Sequence, residues 1–200
     1  MGFITQLGRA LLLIAALAAM SIGTAAAQTG TFADGRDGKK YKTVKIGERT
    51  WMAENLNYKT EGGSWCYDDN NSNCNKYGRL YDWNMAKTAC PKGWHLPSKS
   101  DWRELVVVAD SKTSGIKLKS KSGWDEKGNG TDDLGFSALP GGRRINDGRF
   151  RNVDKRGYWW TATGHGSAFA FYRYMYHVKD YADEDFTFRG DGFSVRCLQD

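Results

Sequence analysis

Apolar and polar positions alternate along this chain with two distinct periods. In "YKTVKI" (41–46) Val44 and Ile46 alternate with polar residues, Gly47-Glu48 follows, and "TWMAEN" resumes the apolar positions, a pattern that predicts a half-buried β-hairpin. In "YGRLYDWNMAKTA" the period lengthens: Leu80, Trp83 and Ala86 recur every third residue and Tyr81 and Met85 lie four apart, which suits a short helix ending before Pro91. "PSKSDWRELVVVAD" is the clearest helix. Ser98 and Asp101 make a capping-box start, and Trp102, Leu105, Val106 and Ala109 fall on one face as core, with Trp94 and Leu96 expected beneath it. Beyond residue 111 comes a glycine-rich acidic loop, "SGWDEKGNGTDDLG", leading into a short strand "FSAL". The runs "GYWWTAT", "AFAFYRYMYHV" and "FSVRCL" then read as strands. Early helices followed by late strands make an α+β domain.

The N-terminal stretch has a different character. Arg9 stands in a short polar start, an apolar run covers Ala10 to Met20, and Ala25-Ala26-Ala27 precedes Gln28, the pattern of a secretory leader cleaved after Ala27. The run is too short and poorly flanked for a spanning helix, and no second one follows, so no membrane span is expected in the mature chain, residues 28–200. That length is enough to bury one core. The formal charge is +6, and the leader carries only Arg9, leaving +5. A mildly basic balance in an exported protein reads first as a device for solubility, the alternative being a lean towards anionic envelope polymers. The lysines of "SKTSGIKLKSKSGW" are too interrupted for a nucleic-acid stripe, and export also argues against that partner.

Four cysteines remain after export: Cys66, Cys74, Cys90 and Cys197. An even count in an exported chain reads as a disulfide framework with three possible connectivities. Cys66 and Cys74 bracket the polar loop "YDDNNSN", so local pairing is the simplest choice and leaves Cys90 for Cys197. No Cys-x₂₋₄-Cys pair supports zinc. A cysteine held in a disulfide is no nucleophile, which argues against a catalytic Cys90–His95 pair. The other histidines, His165 in "TGHGS" and His177, have no cysteine beside them, and no Gly-x-Ser-x-Gly turn occurs. "DEKGNGTDD" partly resembles a calcium loop, with Asp125, Asn129 and Gly130 in place. Lys127 stands at the third ligand position, however, and Phe136 where a bidentate Glu belongs.

Several segments carry a resemblance. "YKTVKIGERTWMAENLN", "YGRLYDWNMAKTACPKGWHLPSKSDWREL", "GFSALPGGRR", "GYWWTAT" and "GFSVRCL" resemble, in order and over about residues 31 to 198, the Fibrobacter succinogenes major paralogous domain (FISUMP). That family is thought to be similar to the C-type-lectin-like fold. The resemblance thus implies two short helices, small antiparallel sheets and long loops, stapled by disulfides, in exported or surface proteins with adhesion or ligand binding suspected. Leu96-Pro97 and Trp102 also match the Leu-Pro-x-x-x-x-Trp helix start of formylglycine-generating enzymes. The calcium tripeptides of sugar-binding lectins are missing, and only Cys197 stands where those enzymes have a redox cysteine pair, so neither activity carries over.

Aromatic side chains offer large contact area at low entropy cost. In "AFAFYRYMYHV" Tyr172, Tyr174 and Tyr176 share one face, and Phe171, Arg173, Met175 and His177 the other. Burying both faces would hide Arg173 or require partners for three phenols. The tyrosines are therefore expected to face outward as a ligand platform, extended by Tyr181. The expected function is an exported, non-enzymatic binding or adhesion module for an extracellular glycan or protein, independent of calcium and cofactors. The alternative is a structural surface domain whose aromatics all serve the core.

Overall fold

The hairpin expected over residues 41–55 forms, and a sheet is built on it. The structure, a computed structural model, describes residues 28–200. The expected leader, residues 1–27, lies outside the described residues. The first strands are β1 (Gln28–Ala33), β2 (Lys40–Ile46), β3 (Arg49–Met52), β4 (Ser64–Trp65), β5 (Leu80–Tyr81) and β6 (Trp94–His95). Then come β7 (Gly141–Arg144), β8 (Phe150–Val153), β9 (Arg156–His165), β10 (Phe169–Tyr176), β11 (Asp183–Phe188), β12 (Phe193–Ser194) and β13 (Leu198–Gln199). The α-helices are α1 (Asn71–Tyr77), α2 (Trp83–Ala89), α3 (Lys99–Val108) and α4 (Ser114–Leu118), and a 3₁₀ turn covers Tyr67–Asp69.

Five strands form a small sheet in the order β1-β2-β3-β13-β6. The larger sheet runs β11-β10-β9-β12-β5-β4, with β7 joining β9 and β8 pairing β7, and curls into a half-barrel. Gly47, at φ +60°, makes the β2–β3 turn that a side chain would strain. Helix α3 starts as its sequence dictates: Ser98 and Asp101 form a reciprocal capping box, and Trp102, Leu105 and Val106 are buried. The Lys99 N–H donates to Thr163 Oγ1 at 3.1 Å, docking the helix start on β9.

The α+β, C-type-lectin-like expectation is overturned. Strands take 36% of the described residues and helices 18%, in two sheets. Many strands are only two residues long, and such pieces show no alternation to read. "FSAL" is not a strand; it contributes one isolated bridge, Lys119 with Ala138. Both expected disulfides, Cys66–Cys74 and Cys90–Cys197, are present.

Two cores flank the large sheet. On one side Trp160, Tyr158, Tyr172, Phe193 and Tyr81 pack with Trp94 and Leu96. On the other, Trp159 and Met175 pack with Trp51, Trp102, Phe136 and Leu105. Trp159 and Trp160 are consecutive, so the β pleat sends one ring into each core. Trp94 and Leu96 accordingly lie across the sheet from the buried face of α3, not beneath it. Arg196 joins the layers. It is fully buried, its Nε donates to Asn55 Oδ1 at 3.0 Å, and its Nη1 donates to the carbonyls of Met52 and Phe136. Burial without a paired carboxylate pulls its pKa down to about 9.

Candidate functional site

Strand β10 decides which aromatics meet solvent. Its alternation is as expected, but neither face turns outward along its length: Arg173 and Met175 are buried on one side and Tyr172 on the other. Tyr172 is 7% exposed and sits in the first core, its ring 4.7 Å from Phe193 and 6.4 Å from Trp160. Tyr174 packs half-buried against the same core and donates to Asp183 Oδ2 at 2.8 Å. Tyr176 is half-buried under the Arg156 guanidinium, 4.2 Å from its ring. Only Tyr181, 41% exposed, projects outward. The outward stack of Tyr172, Tyr174 and Tyr176 therefore does not exist. Both faces are covered, the arrangement expected to be costly because it hides Arg173; that residue is buried, with Nη2 donating to Glu184 Oε2 at 3.1 Å. Tyr174 and Tyr181 do meet around Lys179, whose ammonium lies 5.7 Å and 5.0 Å from their ring centres.

The exposed aromatic surface lies on the opposite face and is made of phenylalanines. β10 and β11 pair antiparallel with Phe169 opposite Phe188, Phe171 opposite Phe186 and Arg173 opposite Glu184. His165, at the end of β9, stands opposite Phe169. Side chains directly opposite in such a ladder touch. The rings form one continuous cluster: Phe169–Phe188 at 4.7 Å, Phe169–Phe186 at 5.9 Å, His165–Phe186 at 4.3 Å and His165–Phe171 at 5.0 Å. Phe186 is 45% exposed and Phe188 51%. The signal was present in the sequence as two Phe-x-Phe tripeptides, Phe169/Phe171 and Phe186/Phe188; each tripeptide sets two rings on one face.

The border of this face is charged but committed. Lys99 Nζ lies 2.7 Å from Glu184 Oε1 and 3.8 Å from the centre of the Phe171 ring. Glu184 thereby holds Lys99 with one oxygen and Arg173 with the other. β11 ends the large sheet, yet its edge is guarded. Asp183 Oδ1 accepts from the Glu184 N–H at 2.9 Å and Asp185 Oδ1 from the Phe186 N–H at 2.8 Å. Carboxylates along an edge discourage strand addition, so the face, not the edge, is open to a ligand.

Other sequence candidates scatter. Cys90 is in a disulfide, and His95 Nδ1 is 2.6 Å from Asp200 Oδ1. His177 is buried, with Glu126 Oε2 at 3.9 Å. In the acidic loop Asn129 Oδ1 accepts from the Trp124 N–H, Asp132 holds Ser137, and Phe136 is core. Among the described residues no three His, Cys, Asp or Glu side chains converge as metal ligands.

The family model of the Fibrobacter succinogenes major domain matches residues 44–199. The chain belongs to this family. No curated protein and no solved structure matches it. The matched segment of this Fibrobacter succinogenes major domain runs from the middle of β2 to the end of β13 and so includes α3, both disulfides and the whole phenylalanine face.

Proposed function

We propose that the protein is an exported, non-enzymatic binding module that docks a protein ligand on the face formed by Phe169, Phe171, Phe186, Phe188 and His165. The carrying observation is that Phe186 and Phe188 remain about half exposed in a continuous ring cluster, in a chain that buries seven of its eight tryptophans. A contiguous exposed apolar patch marks an interaction surface more often than a scattered single residue does. The ligand class follows from what the rings lack. The four phenyl groups offer no donor or acceptor, and the charges of the adjoining Lys99, Arg173 and Glu184 are paired with one another. The polar groups left over are few, the His165 imidazole and the buried Arg173 Nε. Sugar recognition needs free polar groups beside the ring, whereas apolar side chains of a protein need only the rings. Export is supported by the leader pattern and by two disulfides, which persist in oxidising compartments. The non-enzymatic reading is supported by the commitment of every cysteine to a disulfide and the separation of the three histidines.

The test compares the wild-type protein with Phe186→Ser/Phe188→Ser on a displayed random-peptide library and a glycan array. Selection of peptides rich in apolar side chains, lost in the variant at unchanged melting temperature, is expected. Peptide binding that survives the double substitution, or ring-dependent binding to glycans alone, would overturn the reading. No selection on either surface would leave the domain a structural one.

A further inference from the structure

A cleft of about 350 Å³ opens on another part of the molecule, between the start of β2, the segment after β3 and the C-terminal end of α1. Its volume lies in the range of small-ligand sites. Lys39, Lys40, Lys42 and Lys76 line it, and the single acidic side chain among the lining residues is Glu54. Its Oε2 accepts from the Lys42 N–H at 2.7 Å, and one carboxylate does not balance the four lysines. Lys39 reaches Asp37 at 3.1 Å and Lys76 reaches Asp154 at 3.8 Å. Among the described residues, Lys40 and Lys42 form no ion pair. Both are exposed, and two residues apart on a strand they share one face, with Tyr41 between them turned into the core. The carbonyls at the end of α1 do not offset this charge. Tyr77 O accepts from Asn55 Nδ2, and Cys74 O from the Gly78 N–H.

We propose that this cleft binds the anionic groups of an acidic polysaccharide. Three features select that class. The cations are all lysines, mobile point charges that suit a repeated, diffuse anion better than one oriented phosphate, which favours arginine forks or a helix N-terminus. Asn57 and Asn75 add polar side chains suited to hydroxyl groups. The two aromatic residues of the wall, Tyr41 and Tyr77, are 3% and 4% exposed, so no ring is free to stack a nucleic-acid base. The basic balance of the chain, +6 overall, acts in the same direction at long range.

The experiment measures binding of the purified protein to heparin, which carries sulfates, and to polygalacturonate, which carries carboxylates, at low and at physiological salt. A single-stranded oligonucleotide serves as the competing polyanion. Lys40→Glu/Lys42→Glu should weaken binding to at least one polysaccharide by roughly tenfold or more, with an unchanged melting temperature because both side chains are exposed. Arg103→Glu/Lys112→Glu makes the same change in net charge at two exposed residues that do not line the cleft and should cost no more than about twofold. Whichever polysaccharide depends on the cleft identifies sulfate or carboxylate as the recognised group. Equal losses in the two variants would reduce the effect to net charge and overturn the site. So would an absence of binding to both polysaccharides, or tighter, cleft-dependent binding of the oligonucleotide.

Discussion

The aromatic residues of β9, β10 and their neighbours have two fates. In the covered centre of the large sheet most rings with a polar atom have that atom tied to a fixed partner, the buried Nε1 of Trp102 being an exception. Trp159 Nε1 donates to Asn55 Oδ1, Trp160 Nε1 to Tyr81 O, Trp83 Nε1 to Thr161 O and Tyr81 Oη to Tyr58 O. At the open end of the same strands the rings are phenylalanines, with nothing to tie, and they stay half exposed. A ring with a polar handle is fixed in one place once buried, because leaving the handle unpaired costs about 1–3 kcal/mol. A phenyl ring can exchange water for any apolar surface that fits. The centre is thus built for a single packing arrangement, and the open end retains capacity for a partner.

The most severe way to break this contrast is to unstaple the covered region. The Cys90–Cys197 bridge closes a loop of 107 residues and anchors Cys197 in the first core. Replacing both cysteines by alanine should cost up to about 5 kcal/mol in the chain-entropy model, against about 2.5 kcal/mol for Cys66 and Cys74. Denaturant titration of the two double variants measures the order; an equal or reversed cost would place the stability elsewhere. Next comes Trp159→Ala, expected to lose about 3–5 kcal/mol, since it opens a cavity in the second core and removes one of the two donors to Asn55 Oδ1. Phe186→Ser/Phe188→Ser should cost no more than about 1 kcal/mol, because both rings are already half hydrated. If thermal melts show the phenylalanine pair to be as costly as Trp159, the open end is core and the contrast fails.

How much of this was legible in the sequence divides along the same line. The α3 capping box, the β2–β3 hairpin, the two long strands and the disulfide pairing follow from local chemistry and were readable. The parity of β10 was not. Period-two alternation says which residues share a face, but a strand covered on both sides has no outward face to identify. Burying both faces looked too costly because it would hide Arg173, and what offsets that cost is Glu184, a partner eleven positions away on a neighbouring strand. The mainly β architecture was hidden for a related reason. β4, β5, β6, β12 and β13 are two residues each, and their pairing is decided by the tertiary fold. The phenylalanine face could have been read from the two Phe-x-Phe tripeptides, given the register that sets them opposite one another.

The smallest expected effect sharpens the comparison through acid. β11 is held at its start by Asp183, whose Oδ2 accepts from Tyr174 Oη at 2.8 Å and from Lys179 Nζ at 3.2 Å. Burial alone would raise the pKa of this carboxyl, but the Glu184 N–H, the Tyr174 hydroxyl and the Lys179 ammonium outweigh it, and the net value lies below the ordinary 3.8. A carboxyl whose folded pKa is depressed stabilises the fold above its unfolded value. That contribution declines as pH falls below 3.8 and is gone once the pH has passed through the folded value. The anchor serves β11 and not the Trp159–Asn55–Arg196 network, so acid should loosen the open end while the centre stays closed. Amide hydrogen exchange read by NMR across this range should show β11 amides losing protection before those around Trp159 and Trp160. Tyr174→Phe removes one of the donors, so its β11 should open at a higher pH than wild type. If β11 and the centre lose protection together, the two regions open as one cooperative unit and the division drawn from their side chains does not extend to their dynamics.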